Sequence, residues 1–241
     1  MIAAMEPLYE GKAKRLWATN DPDVLRMEFK NDATAFNGEK KASFDDKGRL
    51  NNAISTRIYQ LLESEGVPTH LVRRIDDTSA EVRKVEILPV EVIVRNFAAG
   101  SFCRRTGMAE GTPFSRSVIE FSYKNDELGD PLINEDYIRE MKLASEAELS
   151  HLRARALEVN GILTRLFDEC GLRLVDFKLE FGRLATDPSR IVLADEISPD
   201  GCRLWDKKTG EKMDKDRFRR DLGGVMEAYR EVLDRISDLL D

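Results

Sequence analysis

Across residues 174–182, Val175, Phe177, Leu179 and Phe181 alternate with Asp176, Lys178 and Glu180. That is the period-2 pattern of a β-strand with one buried face. The hydrophobes drive burial of that face, and the other face carries an acid, a base and an acid in a row. Such charges are at home on a plain solvated surface. On a strand this apolar they equally suit a cleft that holds something charged. A second strand pattern at 190–196 follows a turn-prone loop at 185–189, which predicts a β-hairpin. Antiparallel pairing can set Asp195 opposite Glu180. Two facing carboxylates beside Lys178 are unfavourable without a cation, and Mg²⁺ carrying the phosphates of a nucleotide would relieve the repulsion.

Other stretches carry candidate anion-binding groups. Residues 8–17 read as two short strands bent at Gly11, with Lys12 and Lys14 on one face beside a flexible backbone. This suits a polyphosphate, and it equally describes a basic edge strand that blocks aggregation. Neither a Walker sequence nor G-x-G-x-x-G occurs. Residues 87–101 form a strand that delivers Arg95, followed by small residues and then Gly100 and Ser101. A guanidinium offers a two-pronged donor and small residues let backbone N–H groups approach, so a phosphate monoester fits; an arginine bracing a turn has the same look. Arg203, in a charged loop at 197–206, is a second candidate clamp.

These segments need a scaffold. Residues 24–30 alternate as a strand, and Asn37-Gly38 marks a turn in the loop that follows. Asn51 is expected to cap a helix with Ile54, Ile58, Leu61 and Leu62 on its core face, stopped by Gly66 and Pro68. His70 opens the next extended segment as a structural residue. Strands are expected over 69–75 and 80–88, then near 118–123 within a long polar stretch, with a short helix after Asn134. Ser145 and Glu148 form a capping box for a long helix ending at Cys170 and Gly171, buried through Leu149, Leu152, Ala156, Val159, Leu163, Leu166 and Phe167, with His151 exposed. A last helix is expected from about Asp214, with Gly223-Gly224 a possible break.

Composition narrows the function. The 241 residues carry a net charge of −7, which disfavours a general nucleic-acid binder. No apolar run of about 20 residues spans a membrane, and the N-terminus lacks a signal-peptide pattern. The three cysteines are odd in number and far apart, as in a cytoplasmic protein with reduced thiols. His70 and His151 are the only histidines and neither neighbours a cysteine, so a zinc site or a Ser-His-Asp triad is not expected. A metal here would be held by carboxylates, which select hard ions such as Mg²⁺.

Taken together, the segments around Tyr9 to Lys14, Leu88 through Arg95 to Ser101, Val175 to Gly182 and Asp195 to Asp200 resemble the SAICAR synthetases, over essentially the whole chain. The resemblance implies an α+β fold: a kinase-like or ATP-grasp-like two-lobe architecture with antiparallel sheets and packed helices. Its smaller β-rich nucleotide lobe would cover 1–88 and a larger lobe 89–241. It implies an ATP-dependent ligase joining L-aspartate to the carboxylate of carboxyaminoimidazole ribonucleotide, with Mg²⁺, as a cytoplasmic homodimer that binds neither nucleic acid nor membrane. By motif, Gly11, Lys12, Ala13, Lys14, Leu16, Leu88 and Lys178 would bind ATP, and Glu180 and Asp195 the metal. Arg95, Ser101 and Arg203 would hold the ribotide phosphate, with Lys124 and Asp130 as weaker substrate contacts; Lys178, Asp176 and Asp200 would serve the chemistry. Another ATP-dependent ligase or small-molecule kinase, or a nucleotide-sensing module, would share much of this pattern.

Overall fold

The protein is described from a computed structural model covering residues 6–35 and 39–241; the Asn37-Gly38 turn lies outside the described residues. The chain opens with β1 (Tyr9–Glu10), β2 (Lys14–Ala18) and β3 (Val24–Phe29), then the pair β4 (Asp32–Ala35) and β5 (Lys40–Ser43). Helix α1 (Lys47–Ser64) leads to β6 (Leu71–Arg74) and β7 (Ser79–Arg83), which complete a five-stranded antiparallel sheet ordered β1-β2-β3-β7-β6. Leu16, Leu25, Met27 and Val82 gather on one of its faces.

The second sheet has seven strands: β8 (Val85–Ile87), β9 (Val90–Phe97), β10 (Pro113–Tyr123), β11 (Leu132–Ile133), β12 (Leu172–Leu184), β13 (Asp187–Ala194) and β14 (Cys202–Asp206). Around it lie α2 (Ser101–Thr106), α3 (Glu135–Glu140), α4 (Glu146–Glu169), α5 (Asp216–Arg219) and α6 (Val225–Leu240). The 13-residue β12 is central, with β14 and β9 along its first half and β13 and β8 along its second. Helix α4 packs across it through the predicted stripe and begins at the predicted capping box. Among α4 residues His151 is half-buried rather than exposed, and burial lowers its pKa.

Several expectations need correction. Helix α1 begins at Lys47, and Asn51 lies buried inside it. The first-turn N–H of Gly48 is met from outside by the Asn31 side chain at 2.9 Å, and Asn52 donates to the carbonyls of Asp76 and Asp77 at 3.1 and 3.0 Å. Asn52 is therefore a polar contact from the helix to a neighbouring turn, while the Asn51 side-chain oxygen is buried without a hydrogen-bond partner. The segment 80–88 is two strands, because at Lys84 the chain leaves the small sheet and joins β12 in the large one. Close approach there requires Gly182, since a Cβ would fall 2.8 Å from the Val85 Cβ. Strand β13 starts at Asp187 within the expected loop. The C-terminal helix is broken, with Gly223 and Gly224 both at positive φ (68° and 59°). The three cysteines are free thiols.

Glu148 closes the α4 cap and also takes the Arg183 guanidinium of β12 at 2.7 Å. The hydrogen bond from Arg183, opposed by burial and helped by Ser145, holds its carboxyl down at about 2. A depressed carboxyl contributes stability above its unfolded pKa and loses it as pH falls toward the folded value. Glu148→Gln should cost about 1 kcal/mol near pH 7, after allowance for solvent screening. In urea titrations the gap from the parent chain should narrow steadily below about pH 4.5, the ordinary range of glutamate. A gap unchanged down to the lowest pH at which both chains fold would refute the charge assignment.

Candidate active site

A cleft of about 500 Å³ lies between the two sheets. One part is apolar, lined by Leu16, Leu25, Met27, Val82 and Ile87. The other part is charged and is built largely by the alternating face of β12 with the ends of β2, β9 and β13. Gly11, Lys12, Ala13, Lys14, Leu16, Lys124, Asp130, Lys178, Glu180, Asp195 and Asp200 all line this cleft. Leu88 does not: it is fully buried in the main core, and Ile87 takes the place at the wall.

The two carboxylates on the charged face of β12 are not solvated, while Lys178 between them is half-buried. Asp176 and Glu180 are both 4% exposed. Each charge is therefore met by an opposite one, as burial demands. Lys178 Nζ lies 2.5 Å from Glu91 Oε1 and 2.7 Å from Glu180 Oε1, and Lys124 Nζ reaches the same Glu180 oxygen at 2.9 Å. Lys14 binds Asp195 and, at 2.9 Å, Glu196. Burial alone would lower the pKa of Lys178 and of Lys14. The charges of Glu180 and Glu91 on the first, and of Asp195 and Glu196 on the second, overcome it and push both well upward. Burial likewise opposes ionisation of Asp195, but Lys14 and Lys178 hold its carboxyl far below the usual range. Glu91 is shifted up, because burial outweighs Lys178. At the cleft mouth Lys12 reaches Asp126 at 2.6 Å.

The register differs by one residue from the expected pairing. Glu180 pairs with Ala194, and Asp195 follows at φ 61°, in the left-handed region, where β13 ends. That conformation re-aims the carboxylate into the cleft instead of continuing the strand. Among the described residues no group of three or more metal-ligating side chains converges. Glu180 and Asp195 supply two hard oxygen donors, and Glu196 Oε2 is buried without a hydrogen-bond partner. Such a set fits a Mg²⁺ ion that takes its remaining oxygens from phosphates and water, which is how that ion is usually held.

Asp200 lies at the deep side, buried against Lys47 at 2.5 Å and accepting from Tyr229 at 2.7 Å. Burial opposes its ionisation, yet Lys47 and Lys215 drive its pKa far down. Lys215 lines the cleft with no ion pair among the described residues, and burial lowers its pKa.

Two residues before Lys178, the same face of β12 enters a second cluster. Asp176 Oδ2 accepts from Arg95 at 2.7 Å and from Arg203 at 3.0 Å. Arg95 continues to Glu120 at 2.7 Å and Ser101 at 3.3 Å, and Arg203 to Asp216 at 2.9 Å. A Cβ on Gly100 would collide with the Arg203 guanidinium, and its φ of 54° also favours glycine. Arg95 and Ser101 are thus brought together with Arg203, which is distant from both in the chain. Sequence reasoning missed Glu91, Glu196, Lys47, Lys215 and the place of His70 in the cleft wall. Glu91 and Glu196 lay inside segments already singled out. Lys47 sits before what looked like a helix cap and carried no signal.

An apolar slot beside three buried-facing lysines, next to a paired-arginine cluster, is the equipment of an enzyme acting on phosphorylated substrates. The comparisons make this specific. The chain matches the SAICAR synthetase family over residues 7–236 and belongs to that family. A phosphoribosylaminoimidazole-succinocarboxamide synthase of Akkermansia muciniphila is 66% identical over 234 residues, 97% of this chain and 99% of the relative. The crystal structure of the corresponding synthase from Ehrlichia chaffeensis superposes with a TM-score of 0.95 at 46% identity, covering 96% of this chain and 98% of the other. A SAICAR synthetase in complex with ADP gives 0.91 at 46% identity, covering 95% and 97%.

Asp176 is the shared counter-ion of two guanidiniums, one of them 3% exposed. Asp176→Ala should cost about 1–3 kcal/mol, since each guanidinium loses one buried carboxylate partner but keeps another, Glu120 or Asp216. Urea denaturation measures the loss, and added sulfate should recover part of it. A loss below about 1 kcal/mol would show that the arginines need no common anion.

Proposed function

We propose that this chain is the ATP-dependent ligase that joins L-aspartate to the carboxylate of carboxyaminoimidazole ribonucleotide, giving SAICAR, ADP and phosphate in purine biosynthesis. The observation that carries the reading is the continuity of one strand face. Glu180 and Lys178 border the nucleotide-sized cleft, and Asp176, next along β12, borders the Arg95–Arg203 pair. A single rigid strand would then align a phosphoryl donor with a ribotide acceptor.

In this reading the lobe of residues 1–88 holds ATP against the larger lobe of 89–241. The adenine lies in the apolar slot by Leu16, with Gly11 and Ala13 allowing close approach and Lys12, Lys14 and Lys178 meeting the phosphates. Glu180 and Asp195 would hold Mg²⁺, which when bound neutralises phosphate charge. Arg95, Ser101 and Arg203 would take the ribotide 5′-phosphate in exchange for part of their present contact with Asp176, which turns to the ribotide. Lys124, Asp130 and Asp200 border the space between donor and acceptor.

A carboxylate is a poor electrophile. Its oxygen attacks the γ-phosphorus, the bond to the ADP oxygen breaks, and an acyl phosphate forms. The aspartate amine then attacks the acyl carbon, phosphate leaves with the C–O bond electrons, and the amine gives up a proton. Lys178 and Lys14 are held cationic by their carboxylate partners before substrates bind, and would stabilise charge on the transferring group. No protein nucleophile is required. We assign the chain to the cytoplasm as a homodimer, which sedimentation at micromolar concentration checks.

Incubation with ATP, Mg²⁺, aspartate and the ribotide should release ADP and form the succinocarboxamide only when all are present. Glu180→Gln and Asp195→Asn should each lower kcat by on the order of 100-fold. Near-normal rates in both would sink the metal assignment. Arg95→Lys should raise KM for the ribotide on the order of tenfold with little change for ATP, because Lys lacks the two-pronged geometry. An equal rise for ATP would place the clamp elsewhere.

A further inference from the structure

The two guanidiniums that meet at Asp176 are held in matching fashion. Arg95 donates from Nε to Glu120 Oε2 at 2.7 Å, from Nη1 to Asp176 Oδ2 at 2.7 Å and from Nη2 to Ser101 Oγ at 3.3 Å. Arg203 donates from Nε to Asp216 Oδ2 at 2.9 Å and from Nη1 to the two Asp176 oxygens at 3.1 and 3.0 Å. Its Nη2 lies against Gly100, where a Cβ would collide with it. Each arginine therefore has its own carboxylate on Nε, a shared carboxylate on Nη1, and an Nη2 directed at the Gly100–Ser101 bend. The two unshared carboxylates are themselves fixed. Glu120 accepts from Arg105 on its other oxygen, and Asp216 accepts from Arg219 on its other oxygen at 2.7 Å. The Asp216 backbone N–H donates to Asp214 at 2.7 Å, and the residue is 1% exposed.

An anion that displaces Asp176 removes the one contact the two guanidiniums share. What then keeps their donors aimed is the bond on each Nε edge, since a planar guanidinium gripped there still presents both Nη groups to a ligand. We propose that Glu120 and Asp216 are positioning residues of the phosphate clamp. Each locks one guanidinium by its Nε edge, so that Nη1 and Nη2 stay in place while Asp176 is exchanged for a phosphate monoester. As bare charges the two acids would repel that phosphate, so a charge role and a positioning role predict opposite effects when the acids are removed. This rests on the cluster being the ribotide phosphate site, so the test sets ribotide binding against nucleotide binding and does not depend on product formation.

Calorimetric titration of the full chain with the ribotide and, separately, with ADP and Mg²⁺ decides it. Glu120→Ala and Asp216→Ala should each weaken the ribotide on the order of tenfold and leave ADP within about twofold, because aim is lost only at the clamp. Glu120→Gln and Asp216→Asn, whose amide oxygens still accept from Nε, should stay within about threefold of the parent for both ligands. Alanine and amide variants that alter ribotide binding equally would overturn the proposal, as would ribotide binding unchanged or tightened in Glu120→Ala. Ribotide and ADP weakened in parallel would mark a packing defect and overturn it too. Asp216 is deeply buried; should its alanine variant not fold, the two Glu120 variants decide alone. A parent chain that binds ADP but not the ribotide would overturn this inference together with the phosphate reading of the cluster. Failure in the parent and failure of the variant pattern are therefore separate results.

Discussion

Burying ionised side chains is the constraint on which the rest of this structure depends. Strand β12 places Asp176 and Glu180 in surroundings nearly closed to water. Removing a charge from water costs several kcal/mol even after the protein relaxes. The fold meets that cost by bringing cations from distant parts of the chain: Lys14 from β2, Arg95 from β9, Lys124 from the end of β10 and Arg203 from β14. Pairing of these strands and pairing of these charges are one event. Both sheets contribute to the cleft, and Lys14 of the small sheet ties it to Asp195 and Glu196 at the end of β13 in the large one.

Such pairing also limits how the site can respond to ligands. Lys14, Lys124 and Lys178 are each already satisfied by a carboxylate, so an incoming polyanion that meets them competes with Asp195, Glu180 or Glu91 instead of meeting bare ammonium groups. A hard cation entering with that polyanion would take over the released carboxylates. The two exchanges compensate, and neither alone is favourable. This gives a physical reason for cation and nucleotide to be required together, rooted in the lysine–carboxylate pairs themselves.

Much of this was legible in the sequence. Period-2 alternation located β12, and the facing pattern at 190–196 located its hairpin partner. The capping box placed α4 to within a residue. What escaped was set by tertiary context. The one-residue offset of Asp195 depends on a left-handed backbone, uncommon for any residue but glycine although aspartate is among those that tolerate it, and no local pattern marks which aspartate adopts it. Asn51 reads as a cap because polarity inside a helix is locally unfavourable, and the neighbouring turn explains only Asn52 beside it, whose amide meets the Asp76 and Asp77 carbonyls. Lys47 escaped for a similar reason, since a buried lysine has no local signature; its partner Asp200 lies more than a hundred residues away. Leu88 failed in the opposite sense, as a hydrophobe next to the cleft that serves the core instead.

The distribution of charge completes the logic. A chain of net charge −7 should repel polyphosphates at long range. Within the cleft, cations and carboxylates are gathered in nearly equal number: Lys14, Lys124 and Lys178 converge there on paired acids, while Arg95 and Arg203 meet Asp176 further along the same strand. The Debye length at physiological salt is about 8 Å, so an anion approaching the molecule feels little of the remote acidic surface. Once inside, it meets a low-dielectric wall on which screening is weak. Selection for anions is therefore local and depends on entry into the cleft. That is why the apolar slot beside the lysines matters as much as the lysines do: it favours anions that carry a flat ring, and discriminates against free phosphate, which would have to displace the same carboxylates without the gain from burying a base.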